Sequence, residues 1–192
     1  MVEKCQYRLS KIQKNQIAQN LIDILQKDAN IIVQTRTFIC NWILTGPEGK
    51  RKAFFDVWDI VLKNYIPTMR PILFRACGRM GTKSRIASFT GRLECARRFS
   101  EGSGYLLICD TKEKFQFEEE IYSVGEYKNS FYPLFYVLVK ARDSGGWGFP
   151  ERILKFIGED EYIMRIDSNY IERCKWMKND SSPGKLLRRI SA

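Results

Sequence analysis

Two glutamates one residue apart, Glu159 and Glu161, follow a glycine and precede the apolar run Tyr162-Ile163-Met164. If Gly158 ends a turn and residues 162 to 166 form a strand, the two carboxylates point to one side and Asp160 to the other. Paired carboxylates can divide labour, because like charges push one pKa up. One then holds a sugar hydroxyl while the other takes a proton from an acceptor. The same residues also read as a solvated charged turn. Upstream, Arg75 closes the apolar run Pro71-Ile72-Leu73-Phe74. A guanidinium projecting from a strand end can clamp a phosphate or carboxylate through its planar fork of donors, or sit in a surface ion pair. Between these lies Ser88-Phe89-Thr90, whose two hydroxyls are each donor and acceptor. They serve equally to orient a ligand or to cap the helix that starts near Arg92.

The chain has no histidine. That excludes Ser-His-Asp and Cys-His nucleophiles, histidine-ligated metals and histidine general bases together. Its six cysteines, at positions 5, 40, 77, 95, 109 and 174, form no CxxC pair or tight cluster. The spacing fits neither a zinc site nor a redox dithiol, and no metal is expected. The amino-terminal residues carry no hydrophobic signal core and no apolar run approaches the ~20 residues of a membrane span, so the expectation is a soluble protein of a reducing cytoplasm. A net charge of +10 across 192 residues attracts anionic partners, acidic proteins and nucleic acid among them.

Several elements must hold these residues. Leu9, Ile12, Ile17, Leu21, Ile24 and Leu25 fall mostly at three- and four-residue steps, which predicts an amphipathic helix over residues 8 to about 28. A second apolar segment, Ile31 to Leu44, stops at Thr45-Gly46-Pro47-Glu48-Gly49. A third helix is predicted from Lys52 to Tyr65, with Pro67 and Pro71 at its exit. Beyond it, 72–77 is a short apolar run and 78–84 a glycine-punctuated basic loop. A short helix after Gly91 carries Leu93, Ala96 and Phe99 on one face. Strands are predicted at 105–109, 131–141, 153–157, 162–166 and 170–176. Residues 115–120 read as loop or helix, and 144–150 as loop. The reading is α+β: a helical lobe over 1–66, a strand-rich core over 67–178 and a flexible tail over 179–192.

The ordered set Ile72-Leu-Phe-Arg75, Ser88-Phe-Thr-Gly-Arg-Leu-Glu-Cys-Ala-Arg-Arg-Phe99 and Gly158-Glu-Asp-Glu-Tyr-Ile-Met164 resembles the arginine–serine–glutamate class of mono-ADP-ribosyltransferases. This class includes bacterial toxins, phage enzymes and animal ectoenzymes, and the likeness covers residues 70 to about 176. It implies a mixed, mostly antiparallel β-sandwich that binds NAD as a substrate. It further implies that Arg75 contacts the NAD phosphate and ribose region, while Ser88 orients the nicotinamide ribose, with Phe89 and Thr90 beside it. Glu161 would hold the ribose hydroxyl and stabilise the cation formed as nicotinamide leaves. Glu159 would deprotonate an acceptor arginine on a target protein. Phe89, Phe99 and Trp147 are aromatic candidates for packing on nicotinamide, and 145–149 for acceptor recognition. The expected setting is a phage or bacterial effector acting on a host protein. Two other readings stay open: a basic nucleic-acid-binding module without catalysis, and an NAD glycohydrolase or nucleic-acid ADP-ribosyltransferase on the same fold.

Overall fold

The computed structural model describes residues 7–46, 49–50, 52–78, 85–100, 104–113, 130–145, 150–166 and 171–175. Three helices come first: α1 (Lys11–Lys27), α2 (Val33–Leu44) and α3 (Lys52–Asn64). A capping box starts α1. The Ser10 hydroxyl accepts the Gln13 amide at 3.2 Å, and the Gln13 side chain accepts the Ser10 amide at 2.9 Å. Most of the apolar face predicted for α1 and α3 is buried, with Ile17, Leu21 and Ile24 meeting Phe54, Val57, Trp58 and Val61, whereas Ile12, at the open first turn of α1, is exposed.

The rest of the described chain alternates strands and helices. In order these are β1 (Ile72–Cys77), β2 (Arg85–Thr90), α4 (Leu93–Ser100), β3 (Tyr105–Asp110) and β4 (Phe131–Pro133). Then come α5 (Phe135–Asp143), α6 (Pro150–Ile157), β5 (Glu161–Ile166) and β6 (Glu172–Lys175). The strands form one sheet in the order β4-β5-β2-β1-β3-β6, with every pairing antiparallel. The molecule is therefore α+β, with a single hydrogen-bonded sheet and no parallel pair among the described strands.

The sheet is not uniform. β2 and β5 pair from Arg85↔Ile166 to Thr90↔Glu161, and β1 and β3 from Ile72↔Asp110 to Cys77↔Tyr105. β1 and β2 meet only at Phe74↔Thr90. This weak junction separates a half made of β4, β5 and β2 from a half made of β1, β3 and β6. An apolar cluster that includes Leu73, Phe89, Leu107, Phe131 and Tyr162 draws on both halves and, among the described residues, on no helix. The helical lobe covers the outer face of the first half, packing on Tyr132 and Ile163. α4 covers the outer face of the second through Ala96 against Leu106 and Ile108. The lobe is also tied to the sheet by polar contacts. The Tyr132 hydroxyl donates to the Leu21 carbonyl at 2.5 Å, the Ser130 hydroxyl donates to the Tyr65 carbonyl at 3.0 Å, and Arg165 pairs with Asp59.

Two predicted strands are helices. The run 131–141 stays extended only to Pro133; Leu134 then turns to helical angles and α5 follows. Its buried residues Val137, Leu138 and Ala141 keep helical spacing, while Phe135 and Tyr136 are exposed. Periodicity alone does not separate strand from helix in an apolar run this dense. The segment 153–157 belongs to α6, which begins at Pro150, where a proline gives up no hydrogen bond. Its Ile153, Phe156 and Ile157 reach the lobe core at helical steps. Residues 79–84 of the predicted 78–84 loop, the segment 115–120, residues 146–149 with Trp147, and the tail lie outside the described residues. No helix among the described residues is long and apolar enough to cross a membrane.

Candidate active site

The chemistry-bearing residues come from three adjacent strands, β1, β2 and β5, and from the turn leading into β5, at the weak junction of the sheet. Arg75 lies one residue past the single β1–β2 pairing position. Its Nη1 donates to the Ser88 carbonyl at 2.5 Å, so the guanidinium spans the two strands where their ladder stops. Ser88 and Thr90 alternate on β2, and Thr90 pairs with Glu161 at the start of β5. Arg75, Ser88, Thr90, Glu159 and Glu161 all line one cleft of about 600 Å³. That volume falls within the ~300–1,000 Å³ of small-molecule sites.

Thr90 sets the carboxylate turn. Its buried hydroxyl donates to the Glu159 carbonyl at 2.6 Å and accepts the Arg92 amide at 3.0 Å. It thus steers the chain into α4 by a local turn, three residues before the helix begins at Leu93, in place of an ordinary helix cap. The Arg92 guanidinium adds a bond of 2.9 Å to the Gly158 carbonyl. Asp160 adopts the left-handed conformation (φ 48°), and the Gly91 amide donates to its carbonyl at 3.0 Å. A Cβ on Gly91 would fall 2.1 Å from the Asp160 Oδ2, so any side chain there would have to displace that carboxylate. Asp160 hydrogen-bonds Tyr162, whose phenol burial and that carboxylate push up to about 12.

Glu159 is half-buried, and burial raises its pKa first, with the Glu161 charge adding to the rise. Arg98 and Lys155 oppose the shift. The Glu161 charge thus acts on Glu159. Glu161 has a partner of its own: the Trp42 Nε1–H donates to its Oε1 at 3.4 Å. Lys50 stands with its ammonium 3.1 Å above the Trp42 ring centroid. Burial holds Lys50 down to about 8; Glu161 works against that shift and Arg75 adds to it.

Trp42 and Lys50 come from the helical lobe, and both line the cleft. Sequence reasoning places them on helix and turn without a role at the site. The available signal is that a buried indole N–H seeks an acceptor, but only the tertiary structure tells which one. Phe89 behaves differently from its expected role. It borders the cleft, yet its ring is only 3% exposed and packs in the cluster shared by the sheet halves. It builds the wall and offers no stacking face. Phe99 on α4 also lines the cleft and is 67% exposed. No family model matches the chain, and no curated protein or solved structure matches it.

Proposed function

We propose that this protein is an NAD-dependent mono-ADP-ribosyltransferase that moves ADP-ribose onto an arginine of a target protein. The observation that carries the reading is convergence. Arg75, Ser88 and the Glu159/Glu161 pair lie up to 86 positions apart in sequence and line the same cleft. They are also the residues on which the resemblance to the arginine–serine–glutamate class rests.

On this reading Arg75 and Lys50 supply positive charge for the pyrophosphate of NAD, and Ser88 a hydroxyl for the nicotinamide ribose. The C1′–N bond breaks, and its electron pair leaves with nicotinamide. Glu161 stabilises the developing cation at C1′ through a fixed negative charge in a partly dry cleft. A guanidino nitrogen of the acceptor then bonds to C1′ and gives its proton to Glu159. The raised pKa of Glu159 suits a base that must hold a proton after taking it. The proposed setting is the cytoplasm of a bacterial host, with the protein as a phage or bacterial effector.

The experiment compares Glu159→Gln with Glu161→Ala, using NAD and agmatine as a defined guanidino acceptor. Loss of both nicotinamide release and agmatine labelling in Glu161→Ala supports the assignment, as does selective loss of labelling in Glu159→Gln. Full activity of Glu161→Ala would refute it.

A further inference from the structure

Among the described residues, the helical lobe hydrogen-bonds the carboxylate pair through Trp42. Trp42 lies on α2, is 1% exposed, and is held by ring contacts to Phe54, Phe55 and Trp58 at centroid distances of 5.9, 6.2 and 5.6 Å. Such packing fixes the direction of its indole N–H, and a buried indole N–H left without an acceptor costs free energy. The acceptor is Glu161 Oε1 at 3.4 Å. Glu161 itself has its backbone tied down, since its carbonyl accepts the Leu134 amide at 2.9 Å and its residue pairs with Thr90. Among the described residues, the Trp42 indole is a hydrogen-bond donor to its carboxylate.

We infer that Trp42 is a positioning residue for Glu161, so that the helical lobe is part of the catalytic apparatus and not only a scaffold beside it. The inference rests on the transferase reading for its kinetic consequence, and on geometry alone for the contact. A carboxylate that stabilises a transient cation is effective when its orientation is fixed before the reaction. The Trp42 ring supplies that constraint on one side and seats the Lys50 ammonium on its face.

The molecule contains its own control. Trp58 is equally buried at 0% exposure and packs edge-on against Trp42, with Phe38 and Tyr132 as further ring contacts. Its Nε1 has no hydrogen-bond partner among the described residues. Replacing either tryptophan by phenylalanine removes similar ring area, but only one replacement removes a bond to the carboxylate.

The test is steady-state nicotinamide release by the full chain carrying Trp42→Phe or Trp58→Phe. Trp42→Phe is expected to lower kcat about tenfold, the scale of one hydrogen bond to a charged group, and to leave the KM for NAD within about twofold. Trp58→Phe is expected to leave both within about twofold. A second measurement does not depend on activity. In the 15N-labelled protein, Glu161→Ala should shift the indole N–H resonance that Trp42→Phe removes, and should leave in place the one that Trp58→Phe removes. Equal kinetic effects of the two tryptophan variants, or an unmoved Trp42 indole resonance, would overturn the inference. A wild-type protein that releases no nicotinamide would refute the transferase reading, and the indole resonance would still decide whether the contact exists.

Discussion

Thr90→Val isolates the hydroxyl that holds the carboxylate turn. Valine nearly matches threonine in shape, so the change removes bonds without opening a cavity. Two bonds go, the one donated to the Glu159 carbonyl at 2.6 Å and the one accepted from the Arg92 amide at 3.0 Å. A typical bond contributes about 0.5–1.5 kcal/mol net, and a buried group left unpaired costs about 1–3 kcal/mol. Arg92 is exposed, so its amide can turn to water, whereas the Glu159 carbonyl sits under a half-buried residue. The expected loss is therefore about 2–3 kcal/mol, dominated by that carbonyl. Thr90→Ser keeps the hydroxyl and loses one methyl, about 1 kcal/mol. Denaturant unfolding of the two variants beside wild type reads both numbers, with unchanged m-values as the condition for comparing them. Agmatine labelling should fall more than nicotinamide release in Thr90→Val, because the turn carries Glu159. A valine variant within about 0.5 kcal/mol of wild type would refute the reasoning. So would a serine variant as unstable as the valine one.

Three further outcomes follow from the same geometry. Arg98→Gln or Lys155→Gln removes a positive charge that favours ionised Glu159, so the Glu159 pKa rises further. The acid limb of the agmatine-labelling rate should then move to higher pH, and an unmoved limb would remove Glu159 as the titrating base. Lys50, held at about 8 in the free protein, is mostly charged below that pH and mostly neutral above it. Because an anion beside it favours the charged form, NAD binding measured by calorimetry should weaken several-fold as pH rises through about 8. Lys50→Met should flatten that dependence. Gly91→Ala places a carbon 2.1 Å from Asp160 Oδ2 and should destabilise the fold by about 1–3 kcal/mol, with partial recovery in Gly91→Ala/Asp160→Ala, as read by thermal unfolding.

Much of the frame was legible because the sequence repeats its message at several levels. α1 announces itself by spacing, and α3 by the Phe54, Val57, Trp58 and Val61 series ended by prolines. The strands flanking the site are short apolar runs bounded by turns. α5 and α6 were not legible as helices, since dense apolar segments such as 135–141 satisfy either period and only the packing against the lobe decides. The site divides along the same line. Arg75, Ser88, Glu159 and Glu161 could be selected because each belongs to a local motif. Trp42 and Lys50 gain their place at the cleft from the way the lobe seats on the sheet, which no local pattern encodes. Phe89 is instructive: the period of two along β2 turns residues 88 and 90 to one face and 89 to the other, so its burial is set once β2 is a strand.

The most direct measurement is incorporation of adenylate-labelled NAD into proteins of a bacterial lysate by the purified chain, beside Glu161→Ala. Labelled protein bands that disappear with the Glu161→Ala chain are the predicted result. Absence of both label and nicotinamide release from the wild-type chain would contradict the account.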